Sequence, residues 1–313
     1  MVYWKRPDAH TWTLRDMTAV ARWSKIAYAP PPVTVFSAIA YSADTLTNAQ
    51  TARSQDGIVW TTGSAPIGQW EDVVWAQELG LFVAVANNSL STNTVATSAN
   101  GVAYAYRTAY AGAWSAIDRN GTMLLAVDAG AGAGTMTSVD GINWTNHPNA
   151  LQGVGSGWYV VKWFAAGSVW VTTNGILIAT STDGVTWVLR YNTASAFQIL
   201  SLATNAATMV ALSDKDNYVT SVDGVTWTAR LLGLSFVARW QACAYNGTVF
   251  CAVAQTSTGG DAMTSATGTS SWTSSPSAPA QQWNAIAWSA HMELFAALSI
   301  NGTQRIMTSS AGS

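Results

Sequence analysis

Short apolar runs centred on a small residue recur along the sequence: "FSAIA" (36–40), "FVAVA" (82–86), "LLAVD" (124–128), "WVTTN" (170–174), "MVALS" (209–213), "FCAVA" (250–254) and "FAALS" (295–299). Runs this short, bounded by Gly, Asn and Asp, predict buried strands rather than helices. Ahead of each lies a second pattern, W-x-x-Φ-x-aromatic, where Φ is an apolar residue. Its copies are Trp23/Ile26/Tyr28, Trp70/Val73/Trp75, Trp158/Val161/Trp163, Trp240/Cys243/Tyr245 and Trp283/Ile286/Trp288, with weaker ones at Trp114/Ile117/Arg119 and Phe197/Leu200/Leu202. Turns such as "RNGT" (119–122) and "YNGT" (245–248) separate the two patterns. Asn-Gly there supplies the positive φ of a tight hairpin. After each apolar run come a variable loop and a polar motif: "RSQDGIVW" (53–60), "TSANGVAY" (97–104), "TSVDGINW" (137–144), "TSTDGVTW" (180–187), "TSVDGVTW" (220–227) and "TSATGTSSW" (264–272). Each period thus predicts a strand, a hairpin, a second strand, a loop and a closing hairpin of two more strands.

The motif glycines, Gly57, Gly101, Gly141, Gly184, Gly224, Gly268 and Gly312, lie 40 to 44 residues apart. That period fits one four-stranded blade of a β-propeller. The seventh copy, "TSSAGS" (308–313), has no Trp, whereas "TWTLR" (11–15) supplies Trp12 with no motif before it. Joined, they make one hairpin, so a blade shared between the two ends closes the ring and removes exposed sheet edges. The expected fold is all-β, a seven-bladed β-propeller spanning residues 11–313 as one domain, preceded by an N-terminal arm of residues 1–10. The small central residues (Ala38, Ala84, Ala126, Ala211, Ala252 and Ala297, with Thr172 in the fourth copy) suit sheets crowded face to face. All of the 17 Trp except Trp4 and Trp170 occupy repeat positions, which places the hydrophobic core between blades.

Composition narrows the function. Charged residues make up 10% of the sequence and apolar residues 49%, and the formal net charge is −2. Without a basic cluster, no nucleic-acid partner is expected. No apolar stretch nears the roughly 20 residues of a spanning helix, so no membrane insertion is expected. "MVYWKRPDAH" lacks the apolar core of a secretory signal, which predicts folding in a cytoplasm. Cys243 and Cys251 flank one hairpin turn and are expected as buried thiols, not a disulfide or a zinc site.

The Ser-x-Asp-Gly-x-x-Trp motif resembles the Asp-box, or bacterial neuraminidase repeat, with one residue fewer between Asp and Gly. "WSKIAYA" and "LFVAVANN" followed by the motif resemble repeats of bacteriophage tail-associated and bacterial surface propellers. The resemblance implies a structural hairpin remote from any active site. The residues agree, since Asp-Gly is a turn pair and Ser or Asp oxygens bond nearby amides. Asp occupies four copies (Asp56, Asp140, Asp183, Asp223), with Asn100, Thr267 and Ala311 in the others.

The same resemblance raises a sialidase reading, which would need an arginine triad, a Tyr–Glu pair and an Asp acid. Of three Glu, Glu78 and Glu293 fall in turns, leaving Glu71 beside Asp72. A Glu71/Asp72 or Asp72/Asp118 pair would serve as glycosidase carboxylates, but solvated channel-lining acids are the preferred reading. Arg15, Arg53, Arg107, Arg190, Arg230 and Arg305 are scattered over the blades, and His10, His147 and His291 share no metal-ligand spacing. "DKDN" (214–217) lacks the length and glycine of a calcium loop, and "AGAGAG" (129–134) has no following helix to hold a phosphate. No catalytic residues, metal or cofactor are expected.

Loop variation concentrates on one face, at blade connections and at loops after the second strands, where recognition is expected. Tyr110, His147 and Tyr191, placed in blade connections, are the candidate contacts. Tyr3 and Trp4 in the arm are candidate assembly contacts. The expected function is a structural or adhesive component of a bacteriophage-like virion, on a tail, baseplate or capsid. Its partners would be other virion proteins and a host glycan or receptor. A free glycan-binding lectin is the alternative, and a sialidase-like hydrolase the third reading.

Overall fold

A computed structural model describes residues 11–17, 21–41, 49–234, 238–255 and 261–309. Every regular element among them is a strand, and the strands form seven consecutive four-stranded blades. The inner strands are Arg22–Ala29, Trp70–Ala76, Gly112–Arg119, Val160–Phe164, Ile199–Thr204, Trp240–Tyr245 and Trp283–Ser289, which number blades one to seven. In-sequence neighbours pair antiparallel within each blade. Blades two and three are also joined by a short pairing of Asn87 and Asn88 with Ala113 and Gly112. The ring closes as the repeats predict: Trp12–Arg15 pairs antiparallel with Ile306–Ser309, Trp12 opposite Ser309. The arm with Tyr3 and Trp4, and the incomplete motif after Ser309, lie outside the described residues.

The apolar pattern has a direct structural reading. Second strands such as Leu124–Asp128 and Phe250–Ala254 are buried at every position, because each blade's faces are covered by its neighbours. Outer strands such as Val188–Asn192 are largely exposed. Among the described residues the buried apolar side chains fall into seven clusters, one per blade interface. The central alanines, Ala38 to Ala297, are fully buried at these contacts. Thr172 fits among them because its hydroxyl donates to the Val160 carbonyl at 2.8 Å, which satisfies a buried polar group. Cys243 and Cys251 are free thiols in adjacent strands, opposite Ala252 and Ala244 rather than each other.

Blade five departs from the expected phase. Leu202 faces Ala211 as Ile26 faces Ala38, so Ile199, Leu202 and Thr204 replace the expected Phe197, Leu200 and Leu202. A bulge lies just after the Trp position in most inner strands, and here it follows Ile199. An aliphatic residue therefore takes the place of the tryptophan, while Phe197 is buried two residues earlier.

Side chains on or beside the inner strands tie each blade to the next. Ser24 donates to the Trp70 carbonyl (2.7 Å), Asp72 accepts from the Ile117 amide (3.1 Å), and Ser115 donates to the Trp158 carbonyl (2.6 Å). Tyr159 donates to the Ile199 carbonyl (2.5 Å), Ser201 to that of Trp240 (3.1 Å), and Gln255 to the Asn284 side chain (2.9 Å). Asn284 then donates to the Ser24 carbonyl (2.8 Å), completing the circuit of seven interfaces.

Candidate functional site

The polar hairpin motif satisfies itself. In blade five, Ser221 Oγ accepts from the Gly224 amide at 2.8 Å and donates to Asp223 Oδ1 at 3.0 Å. Asp223 Oδ1 accepts from the amides of Val225 (2.8 Å) and Thr226 (2.7 Å), and Trp227 Nε1 donates to the Gly224 carbonyl at 3.1 Å. Asn100 makes the same two backbone contacts in blade two, so the turn needs an acceptor oxygen rather than a charge. Hydrogen bonding from the Asn143 side chain and the Asn143 and Ile142 amides holds the Asp140 carboxyl down at about 2. Partial burial pushes the Asp183 carboxyl up, but the Thr186 and Val185 amides outweigh it and bring it to about 2. These carboxylates are committed to their turns.

The expected contact residues do not converge. Tyr110 lies in the connection between blades two and three, 40% exposed, with its carbonyl accepting from Trp114 Nε1 and the Thr94 hydroxyl. His147 and Tyr191 are not in connections. They end or lie within the outer strands Thr145–His147 and Val188–Asn192, because those strands run further than the motif alone indicates. His147 Nε2 meets the Thr137 hydroxyl at 2.9 Å. Arg107, Arg190 and Arg230 make the equivalent contact from Nε to Thr97, Thr180 and Thr220 in other blades. Arg15, Arg107, Arg190 and Arg230 among the scattered arginines thus share one structural place, and His147 stands in for one of them. Asp214 and Asp216 of "DKDN" accept from the amides of Gln198 and Gly233, bracing loops.

An axial channel runs between the inner strands, and its surface changes along its length. The middle, a cavity of about 140 Å³, is lined by Ile26, Val73, Ile117 and Val161 together with Lys25, Asp72, Asp118 and Lys162. One end, about 480 Å³, is bordered by Tyr28, Trp75 and Tyr245. The other end, about 350 Å³, opens where the inner strands begin, on the face carrying the blade connections. Arg22, Lys25, Glu71, Tyr159, Arg239 and Gln241 lie around it. Three cations face one acid there. The Arg22 guanidinium sits over the Tyr41 ring, 4.9 Å from its centroid, a cation–π contact. Burial pushes the Glu71 carboxyl up, against the pull of Arg22 and Lys25.

The acids of the channel wall are less solvated than the sequence suggests. Asp72 accepts from the Val73 amide as well as Ile117, and burial pushes its carboxyl up against the pull of Lys25. Asp118 accepts from the Trp163 amide at 2.8 Å and pairs with Lys162 at 3.4 Å. Both serve as inter-blade ties. Arg22 and Arg239 escape a sequence search for clustered cations because more than 200 residues separate them. The available signal is positional: each directly precedes the repeating Trp of an inner strand, at Trp23 and Trp240.

No protein-family model and no curated protein matches the sequence. Solved structures do match. YCF48 from Cyanidioschyzon merolae superposes with a TM-score of 0.69 at 11% identity, covering 95% of this protein and 98% of that one. A structure described as YCF48 bound to D1 peptide gives a TM-score of 0.71 at 11% identity, covering 97% and 99%. These similar structures are β-propellers, and the protein has that fold. They also correct the expectation of a bacteriophage virion component partnered by virion proteins or host glycans, since the similar structures are YCF48 and one holds a D1 peptide. The physical reason is that the repeats specify blade construction, and the same scaffold hosts unrelated activities.

Proposed function

We propose that this is a binding protein that holds a polypeptide segment at the cationic mouth of its axial channel. The observation that carries the reading is the convergence of Arg22, Lys25 and Arg239, from blades one and six, on one concave opening. The D1 peptide in a similarly folded structure supports it by analogy of fold. Binding rather than turnover fits the channel acids, because Asp72 and Asp118 are engaged by backbone amides of the next blade. We also read the hairpin motif as a shortened Asp-box, given its self-satisfied bonding, and assign it no part in binding.

The test is selection of binders from a random peptide library on the purified protein. Gln241→Trp should fill the mouth and abolish their binding. Val222→Lys, on a hairpin turn 68% exposed and far from the channel, should leave it unchanged. Selected peptides indifferent to Gln241→Trp would refute the channel-mouth site.

A further inference from the structure

Resting on the peptide-binding reading, we infer that the group taken at the channel mouth is a carboxylate, held by Arg22, Lys25 and Arg239. The protein as a whole is slightly acidic, with 16 Asp and Glu against 14 Lys and Arg. At this opening the balance reverses, because Glu71 is the one acid among the described residues that line it. The ion pairs found among the described residues, Arg119 with Glu78 and Lys162 with Asp118, involve none of the three cations. Their charge therefore faces the opening without an ion-pair partner among those residues. In a concave site with low-dielectric walls, such charge attracts an anion more strongly than it would on open surface.

Geometry narrows the anion. Arg22 lies over Tyr41 at the opening, and a guanidinium's planar fork of N–H donors matches a planar carboxylate. Neighbouring groups add donors and acceptors suited to a peptide. Gln241 presents a buried side-chain oxygen with no hydrogen-bond partner among the described residues, an acceptor for a ligand N–H. Asn284, by contrast, is spent on the Trp23 and Ser24 carbonyls and on Gln255. A ligand that offers a carboxylate and a nearby amide N–H answers both Gln241 and the cations. The C-terminus of a polypeptide and an acidic side group within a peptide share that chemistry.

Glu71 gives the inference its sharpest consequence. It is a like charge to the incoming carboxylate, so removing its charge should tighten binding while removing a cation should weaken it. The experiment measures affinity by fluorescence anisotropy for library-selected peptides, each synthesised in four forms. The C-terminus is free or amidated, and internal Asp and Glu are retained or replaced by Asn and Gln. Neutralising the recognised carboxylate should weaken binding about tenfold or more, and the form that suffers tells terminus from side group. Arg239→Gln and Lys25→Gln should each weaken binding of the charged form, Glu71→Gln should tighten it by about fivefold, and added salt should weaken it. The peptide changes need no protein variant, so misfolding of a variant cannot imitate the result. Peptides that bind equally well in all four forms would overturn the inference and leave peptide binding standing. If no peptide binds in any form, both fall together.

Discussion

At the scale of single residues, the motif glycine does more than its place in a turn suggests. Gly224 adopts the left-handed conformation, with φ +75°, and a Cβ added there would lie 2.6 Å from Val169 Cγ2 of the preceding blade. Gly184 repeats the arrangement one blade earlier, against Leu125 at 2.3 Å. The turn chemistry is legible in "TSVDGVTW" because Asp-Gly signals positive φ locally. The contact across blades is not, because Val169 lies 55 residues upstream and no local pattern names it. Gly224→Ala should therefore destabilise the fold by about 2–4 kcal/mol, combining left-handed strain with overpacking. Urea denaturation followed by tryptophan fluorescence checks this, and a loss no larger than about 1 kcal/mol would leave only the turn effect.

At the scale of strands and blades, the sequence is most legible where a large side chain repeats. Six inner strands keep their phase because a Trp stands at or near the start of each. Blade five misleads because Ile199 and Thr204 stand where Trp and an aromatic are expected, and Phe197 draws the alignment two residues off. Outer strands carry weaker signals still, since they are short and exposed, and their Arg–Thr pairing emerges only once the strands are laid side by side. The pairing recasts His147 as one rung of a ladder rather than a lone contact residue. His147→Arg should then be tolerated, with stability changed by less than about 0.5 kcal/mol and peptide affinity unchanged. Calorimetry and the anisotropy assay together check it. A loss of peptide binding at full stability would restore His147 to a contact role.

At the scale of the whole molecule, repeating and non-repeating positions divide the work. The repeats supply seven equivalent interfaces, each with its own apolar cluster and an inter-blade hydrogen bond. The channel mouth is built from residues beside the repeating Trp that differ from blade to blade, so periodicity hides it. The outer strand pairs of the blades are equivalent too, so the pair of Trp12–Arg15 with Ile306–Ser309 matches the pair of Asn217–Ser221 with Thr228–Leu231. Closure depends on Trp12 pairing opposite Ser309, and the sequence around that seam completes the motif when read through it. Joining Ser313 directly to Thr11 gives "TSSAGSTWT", with the same spacing from Ser to Gly to Trp as "TSVDGVTWT". A circular permutant made by that junction, without residues 1–10 and with new ends opened in the turn between Val225 and Thr226, should fold to the same propeller. The new ends interrupt a hairpin whose two strands, Asn217–Ser221 and Thr228–Leu231, remain paired as the natural closing strands do. Far-ultraviolet circular dichroism should match the parent, thermal unfolding should stay a single transition, and the channel mouth should bind the same peptides. If the permutant unfolds in two steps or aggregates, the seam is a specialised closure rather than one outer strand pair among seven.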